Sequence, residues 1–273
     1  MRFSCEARRS SPIMRGMNNR IGHSAGDAPA TGAANRDLYD RFWKRMPVTP
    51  PQWFNTWSLV GPGRAGRRVV EVGSGTRPRA PIPGTLFLDL SLSALRKLKE
   101  RGAYAGLSDG GRLPVRSGAA DLVVAFDVLE HVRGDDGLFA EIGRVLKPGG
   151  EFLFSVPLHP ELFDEFDRVS GHLRRYEPRA LDAMLARAGF AVESWCPFGS
   201  RPRSRLINRV GAWWLVRHPS WCAWVRDILF RSFGRSLQAD LLPSAGDLAS
   251  AGLGVAGVVV KARKRRGRGD EER

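Results

Sequence analysis

Arg67-Arg-Val-Val-Glu-Val-Gly-Ser-Gly-Thr76 reads as a short buried strand that runs into a Glu-x-Gly-x-Gly turn. A second apolar run, Leu86-Phe-Leu-Asp-Leu90, carries an acid inside its end. Two neighbouring parallel strands, one ending in a glycine turn and the next in a carboxylate, suggest a site for an adenosine-bearing cofactor. The glycines let the backbone approach a ligand closely, and the carboxylate accepts hydrogen bonds from ribose hydroxyls.

Outward from this pair, strands and helices alternate from residue 67 to 196. Ser91–Arg101 places Leu92, Leu95 and Leu98 on one helical face, with Ser91 as N-cap and Gly102 as stop. A weak third strand is expected near Ala103–Leu107, and Asp121–Phe126 is the clearest buried strand. Asp135 or Asp136 caps a helix carrying Leu138, Ile142, Val145 and Leu146, which Lys147-Pro-Gly-Gly150 ends. Glu151–Val156 is a further strand. Pro178 opens a helix with Leu181, Met184 and Leu185 inward, closed by Gly189. Phe190–Trp195 and Val255–Lys261 supply the last two strands. The order predicts a doubly wound α/β fold: a Rossmann-like, seven-stranded, mostly parallel sheet with an antiparallel last strand and a helical insertion before it. Ligands then bind at the carboxyl ends of the strands.

Composition sets the outer limits. The chain has 273 residues, enough for one good core with appendages. No apolar run spans a bilayer. Met1–Arg9 lacks a hydrophobic segment, so no secretory signal is expected. Cys5, Cys196 and Cys222 show no metal-ligand spacing, and no metal is expected; a reduced, cytoplasmic setting fits them best. The net charge of +15 lies largely outside the expected core. Residues 1–36 read as a disordered tail, 37–262 as the folded domain and 263–273 as the end of a basic tail. That tail suits either a solvated end or contact with anionic lipid or nucleic acid.

Five motifs in order resemble those of class I S-adenosylmethionine-dependent methyltransferases, closest to the small-molecule branch of the methyltransferase type 11 kind. They are Glu71-Val-Gly-Ser-Gly75, Leu88-Asp-Leu-Ser91, Ser108-Asp-Gly-Gly-Arg-Leu-Pro114, Asp121-Leu-Val-Val-Ala-Phe-Asp-Val-Leu-Glu-His-Val132 and Arg144-Val-Leu-Lys-Pro-Gly-Gly150. The resemblance covers about residues 67–195. It implies S-adenosylmethionine as cofactor and a small-molecule or lipid-like acceptor. It also implies that Gly73 and Gly75 turn beneath the methionine part, with Glu71 supporting them. Asp89 would bind the ribose hydroxyls, and Asp109, followed by Gly110, would approach the adenine. Ala125 and Phe126 would line the cofactor. One departure stands out: the family's third glycine is Arg77 here, and Thr76–Gly84 holds three prolines, so the first crossover helix is short or absent. Arg77 and Arg79 either sit over the cofactor carboxylate or face water. A non-catalytic protein of the same fold is the competing reading.

Candidates for chemistry lie in the polar loop after the fifth strand. His172 is the candidate base, since an unperturbed imidazole titrates near neutral pH. Arg174 and Tyr176, in a segment that resembles one found in this branch, and His131, just after the fourth strand, either touch substrate or fasten the loop. Between the last two strands, residues 201–242 carry tryptophans at near-helical spacing among arginines, with Pro219 dividing two helices. A lid or extra core is one reading. The other is peripheral membrane contact through Trp213, Trp214, Trp221 and Trp224; a nucleic-acid platform is disfavoured by the core-like stripe. The sequence leaves the oligomeric state open.

Overall fold

A computed structural model describes residues 39–40, 43–61, 66–198, 241, 244 and 247–266. Seven strands form one sheet: β1 (Val69–Val72), β2 (Leu86–Asp89), β3 (Tyr104–Leu107), β4 (Ala120–Phe126), β5 (Leu146–Pro157), β6 (Phe190–Pro197) and β7 (Gly257–Lys264). Their spatial order is β3-β2-β1-β4-β5-β7-β6. The first five pair in parallel, while β7 runs antiparallel between β5 and β6. The strand order reverses between β1 and β4, the place where folds of this kind take ligands at the carboxyl ends of the strands.

Both faces of the central strands are buried, which is why β1 and β4 read as continuous apolar runs rather than alternating ones. One face takes Val70, Val72, Val123 and Ala125. Against it pack the helices Asp135–Val145 (α3) and Pro178–Arg187 (α5), through Leu138, Ile142, Leu181 and Leu185. The other face takes Val69, Leu122, Val124 and Phe126, covered by Val60 of the short helix Trp57–Val60 (α1) and by Ala80. The helix Leu92–Lys99 (α2) buries Leu95 and Leu98 over Phe87 of β2. Ser91 is its N-cap, its hydroxyl accepting from Ala94 N–H.

No helix joins β1 to β2; residues 73–85 are turns and irregular chain. Ala80 and Ile82 are buried along this path and supply the cover that a crossover helix would give. The remaining short elements are the helix Glu165–Ser170 (α4), after β5, and 3-10 turns at Pro51–Trp53, Leu129–His131, Pro160–Leu162 and Leu248–Ser250.

Four expectations change. Leu92 lies largely exposed, because only Leu95 and Leu98 face β2. Neither Asp135 nor Asp136 is an N-cap; Gly134 holds that position and Asp135 turns inward to the post-β5 loop. Leu146 belongs to β5, not to the preceding helix, and pairs with Ala120 before the register shifts. Finally, β7 runs to Lys264 and takes in the first residues of the basic tail. Lys261 and Arg263 there face Glu151 and Glu193, so these charges are paired within the sheet. The tryptophan-rich stretch, with Trp213, Trp214, Trp221 and Trp224, lies outside the described residues. Among the described residues no helix is long and apolar enough to cross a membrane.

Candidate active site

The crevice is built from three chain turns at the carboxyl ends of β1, β2 and β4. After β1, Gly73 and Gly75 both take positive φ, 70° and 54°. A side chain at Gly73 would meet Val128 at 2.6 Å, and one at Gly75 would meet the Trp43 ring at 2.2 Å. Only glycine fits either place. Asp89 is buried at the end of β2. Its Oδ2 accepts from Gly75 N–H and its Oδ1 from Ser91 N–H, each at 2.8 Å. Burial pushes its carboxyl pKa up in spite of these bonds. A carboxylate has about four acceptor positions, so Asp89 retains capacity for ribose hydroxyls. The glycine turn and Asp89 therefore fit an adenosine-bearing ligand.

Glu71 directs its hydrogen bonds away from the glycine turn. Its carboxylate points from β1 into the irregular connection and accepts the N–H groups of Arg79 (2.9 and 3.1 Å) and Ala80 (2.8 Å). It organises the segment that replaces the crossover helix. Arg79 neither faces water nor stands free: its guanidinium lies 3.8 Å from the Phe54 ring centroid and 5.4 Å from that of Phe126, and pairs with Asp127 at 3.8 Å. The Phe126 ring is thus taken up by Arg79 and Phe198, on the far face from Ala125. Arg77 is half-buried with its guanidinium 5.6 Å from the Phe54 centroid.

Burial pushes the Glu71 carboxyl up to about 7 from 4.5, against the pull of the two amides and Arg79. Between those values the folded chain holds the proton more tightly than the unfolded one, so stability falls as pH rises. Glu71→Gln removes the titration. Wild type is expected to lose up to about 3 kcal/mol relative to the variant between pH 4.5 and 7, read by urea unfolding at each pH. A pH-independent difference would mean that Glu71 ionises normally.

Beyond β3, Asp109 is exposed and its Oδ1 accepts from Gly111 N–H, a local turn. Gly110, at φ 82°, is buried near Leu138 and Val132. The structure brings Asp89 to the glycine turn by direct bonds and leaves Asp109 open to solvent.

The N-terminal segment lies across this crevice, a placement that sequence reasoning missed. Asp40 accepts from Ser91 Oγ, Ser93 N–H and Ser93 Oγ. Lys97 Nζ donates to the carbonyls of Trp43, Lys44 and Met46. Clamped to α2 at both ends, the segment lays Trp43 on Gly75 and brings the Tyr39 hydroxyl 3.3 Å from His131 Nδ1.

After β4 the chain turns sharply. Asp127 has φ 55°, a left-handed conformation uncommon outside glycine. Its amide donates to Ser155 Oγ, and that hydroxyl donates to Asp127 Oδ1. Glu130 follows, fully buried, with burial and the nearby Asp127 charge raising its pKa well above the ordinary value. His131 Nδ1 lies 3.0 Å from the Gly171 carbonyl oxygen. Burial and the neighbouring His172 push its pKa down to about 4.

The post-β5 loop closes over this turn. His172 Nδ1 bonds Asp167 Oδ1 at 2.8 Å, and its ring meets that of His131 edge-on at 4.9 Å. Asp167 is itself gripped by Arg175 through two bonds and by Asp164 N–H. Burial alone would raise its carboxyl; the bonds from His172 and Arg175 hold it well below the usual range. Arg174 and Tyr176, which the sequence leaves as substrate contacts or loop fasteners, both bind Asp135: Arg174 Nη1 at 2.6 Å and the Tyr176 hydroxyl at 2.8 Å. Tyr176 is buried. This pair fastens the loop to α3, the alternative the sequence left open. The pairing of His172 with Asp167, five residues earlier, had a signal in the loop's run of acids. Glu130 was visible inside the Leu-Glu-His motif.

This fold and crevice define a nucleotide-cofactor-binding α/β protein, and the comparisons assign the class. Residues 42–194 match the family described as methyltransferase domain. The chain belongs to the class I S-adenosylmethionine-dependent methyltransferases. It is similar to a probable S-adenosylmethionine-dependent methyltransferase of Mycolicibacterium smegmatis, 30% identical over 138 residues, covering 47% of this chain and 54% of the relative. It is also similar to a malonyl-[acyl-carrier protein] O-methyltransferase of Geobacter sulfurreducens, 28% identical over 186 residues, 58% of this chain and 67% of the relative. The chain thus spans about half the length of the first of these. Among solved structures, a possible histamine N-methyltransferase of Thermotoga maritima shares the fold, with TM-score 0.52 and 16% identity over 85% of this chain and 94% of that one.

Proposed function

We propose that this protein transfers the methyl group of S-adenosylmethionine to a hydroxyl oxygen of a small-molecule or lipid-like acceptor, with His172 receiving the hydroxyl proton. Bound in the crevice, the cofactor supplies an electrophilic methyl on a sulfonium. Gly73 and Gly75 would admit its methionine portion, and Asp89 would hold the ribose. Ala125 and Gly110 would bound the pocket, with Asp109 at its rim. The chain's own task is to hold the acceptor oxygen in line at about 3–3.5 Å from the methyl and to exclude water. Trp43 and Tyr39, laid over the crevice, suit that exclusion.

One observation carries the choice of hydroxyl: the pair of half-buried His172 with buried Asp167, beside the turn after β4. A carboxylate acceptor arrives deprotonated and needs no base, whereas a hydroxyl must lose a proton in the transition state. Asp167 fixes the His172 tautomer and steadies the imidazolium. The O-methyltransferase relative supports oxygen as the acceptor atom. A cytoplasmic setting and peripheral membrane contact through residues 201–242 rest on the sequence alone.

A second reading, binding without turnover, draws on the missing crossover helix and on Trp43 lying against Gly75. Calorimetric titration and a transfer assay separate the two. Wild type is expected to bind S-adenosylmethionine and to methylate phenolic or alcoholic acceptors from a panel that also holds carboxylates and amines. Asp89→Ala is expected to weaken cofactor binding by about 1–3 kcal/mol. Unchanged affinity in a folded Asp89 variant removes Asp89 from the site; cofactor binding with no transfer to any acceptor favours the second reading.

A further inference from the structure

Glu130, His131 and His172 meet beyond the carboxyl end of β4, and their hydrogen bonds run in a consistent direction. Each imidazole is held from behind through Nδ1. His131 meets the Gly171 carbonyl oxygen at 3.0 Å and His172 meets Asp167 Oδ1 at 2.8 Å. A carbonyl oxygen and an ionised carboxylate only accept, so each Nδ1 carries a proton, and Nε2 is the nitrogen that offers a lone pair when the ring is neutral. Glu130 is fully buried, and neither of its carboxylate oxygens has a hydrogen-bond partner among the described residues. Its Oε1 lies 3.8 Å from His172 Nε2, beyond hydrogen-bond range. One ligand atom from each of the three residues can be chosen so that all lie within 4.8 Å of one another.

A buried carboxyl group with no hydrogen-bond partner is costly in either protonation state. A cation satisfies all three groups together. We propose that Glu130, His131 and His172 form a binding site for a divalent first-row transition-metal ion, taken by one Glu130 oxygen and the two Nε2 atoms.

Two imidazoles and one carboxylate suit such ions, Zn²⁺ and Co²⁺ among them, and three protein ligands leave positions open to an oxygen donor. The backing is also of the right kind: metal-bound histidines donate their other N–H to a carbonyl or a carboxylate, which sets tautomer and orientation. Gly171 and Asp167 do this here. Bonds of about 2.0–2.1 Å place donors roughly 3.3 Å apart, so Glu130 Oε1 and His172 Nε2, now 3.8 Å apart, need only a small contraction. The expectation of no metal from the cysteines misses this site because its ligands come from two segments 41 residues apart in number, 131 and 172. The inference concerns binding of the ion and stands whether or not methyl transfer occurs.

The test uses the full chain without an affinity tag, stripped with a chelator and titrated with Co²⁺ while its visible ligand-field bands are recorded. One equivalent is expected to bind, with bands of a low-coordinate nitrogen and oxygen site, and Zn²⁺ is expected to displace it. Glu130→Gln and His172→Asn each remove a ligand. Each is expected to lower Co²⁺ affinity by more than the roughly 10–100-fold that follows loss of a supporting partner alone. Circular dichroism checks that the variants fold; should one not fold, the other and the wild-type stoichiometry still decide. Wild-type binding weaker than about 1 mM, or affinity unchanged in a folded variant, overturns the site. S-adenosylmethionine affinity of the stripped protein, measured separately by calorimetry, reports on the cofactor crevice. A wild-type protein that binds cofactor and transfers methyl but takes up no Co²⁺ would end this inference and leave His172 as the base.

Discussion

His172→Ala is expected to lower turnover by roughly 10²–10⁴-fold, the range for removing a positioned acid–base group, while S-adenosylmethionine affinity stays within about threefold of wild type. The separation of the two effects follows from the geometry. His172 belongs to the post-β5 loop and contacts Asp167, Glu130 and His131; it makes no bond to Gly73, Gly75 or Asp89. Loss of its ring therefore removes chemistry without disturbing the cofactor's side of the crevice. The backbone bond from His172 N–H to the Asp167 carbonyl survives in the alanine variant, which keeps the loop closed. Steady-state kinetics with a hydroxyl acceptor, paired with calorimetry, checks both halves. Added imidazole is expected to restore part of the rate, since the space vacated opens beside a carboxylate that can still orient it. Near-wild-type turnover in a folded variant would show that His172 only fastens the loop. The same loss of rate is expected whether Nε2 takes the proton or holds a cation, so the cobalt titration, not turnover, tells those roles apart.

How much of this was legible in the sequence depends on the range over which each residue acts. The strands were readable because burial on both faces leaves an unbroken apolar run, as in Leu122–Phe126. The glycine turn and Asp89 were readable because both act within a few residues of their own strand ends. The absence of the first crossover helix followed from three prolines between Thr76 and Gly84. What replaces that helix did not follow. Glu71 reaching the amides of Arg79 and Ala80, and Arg79 lying between Phe54 and Phe126, are contacts set by the third dimension. Arg174 and Tyr176 illustrate the same limit from the other side. Their motif was visible, but Asp135, the residue that takes up both, lies some forty positions earlier and looked like a helix cap. The segment bearing Tyr39 and Trp43 has apolar residues at helical spacing, Leu38, Tyr39, Phe42, Trp43 and Met46, but nothing in that spacing says where it docks. Its position comes from Asp40 and Lys97, two charges whose partners are serine groups and backbone carbonyls of the neighbouring segment.

Asp167→Ala is expected to destabilise the protein by about 3–5 kcal/mol, the range for removing one partner of a buried ion pair. Asp167 is fully buried and Arg175 nearly so. The pair is bidentate, Nε to Oδ2 at 2.9 Å and Nη2 to Oδ1 at 2.8 Å. Without the carboxylate, the guanidinium keeps only its bonds from Nη1 to the carbonyls of Leu158 and Ala256, and a full positive charge remains out of water. The capping box at the start of α4 also loses its second half, the bond from Asp164 N–H. Because the carboxyl is held well below its ordinary pKa in the folded state, its contribution is fully present above the unfolded value of about 4 and is lost as pH falls below it. The gap between wild type and variant in urea unfolding should therefore be widest at neutral pH and narrow toward pH 3. A variant with Arg175→Met added to Asp167→Ala removes the stranded charge and should recover part of the loss, because an apolar pair of similar volume avoids the desolvation cost. Recovery would place the cost in the uncompensated guanidinium. Equal instability in the double variant would place it in the cap and in the loop that carries His172.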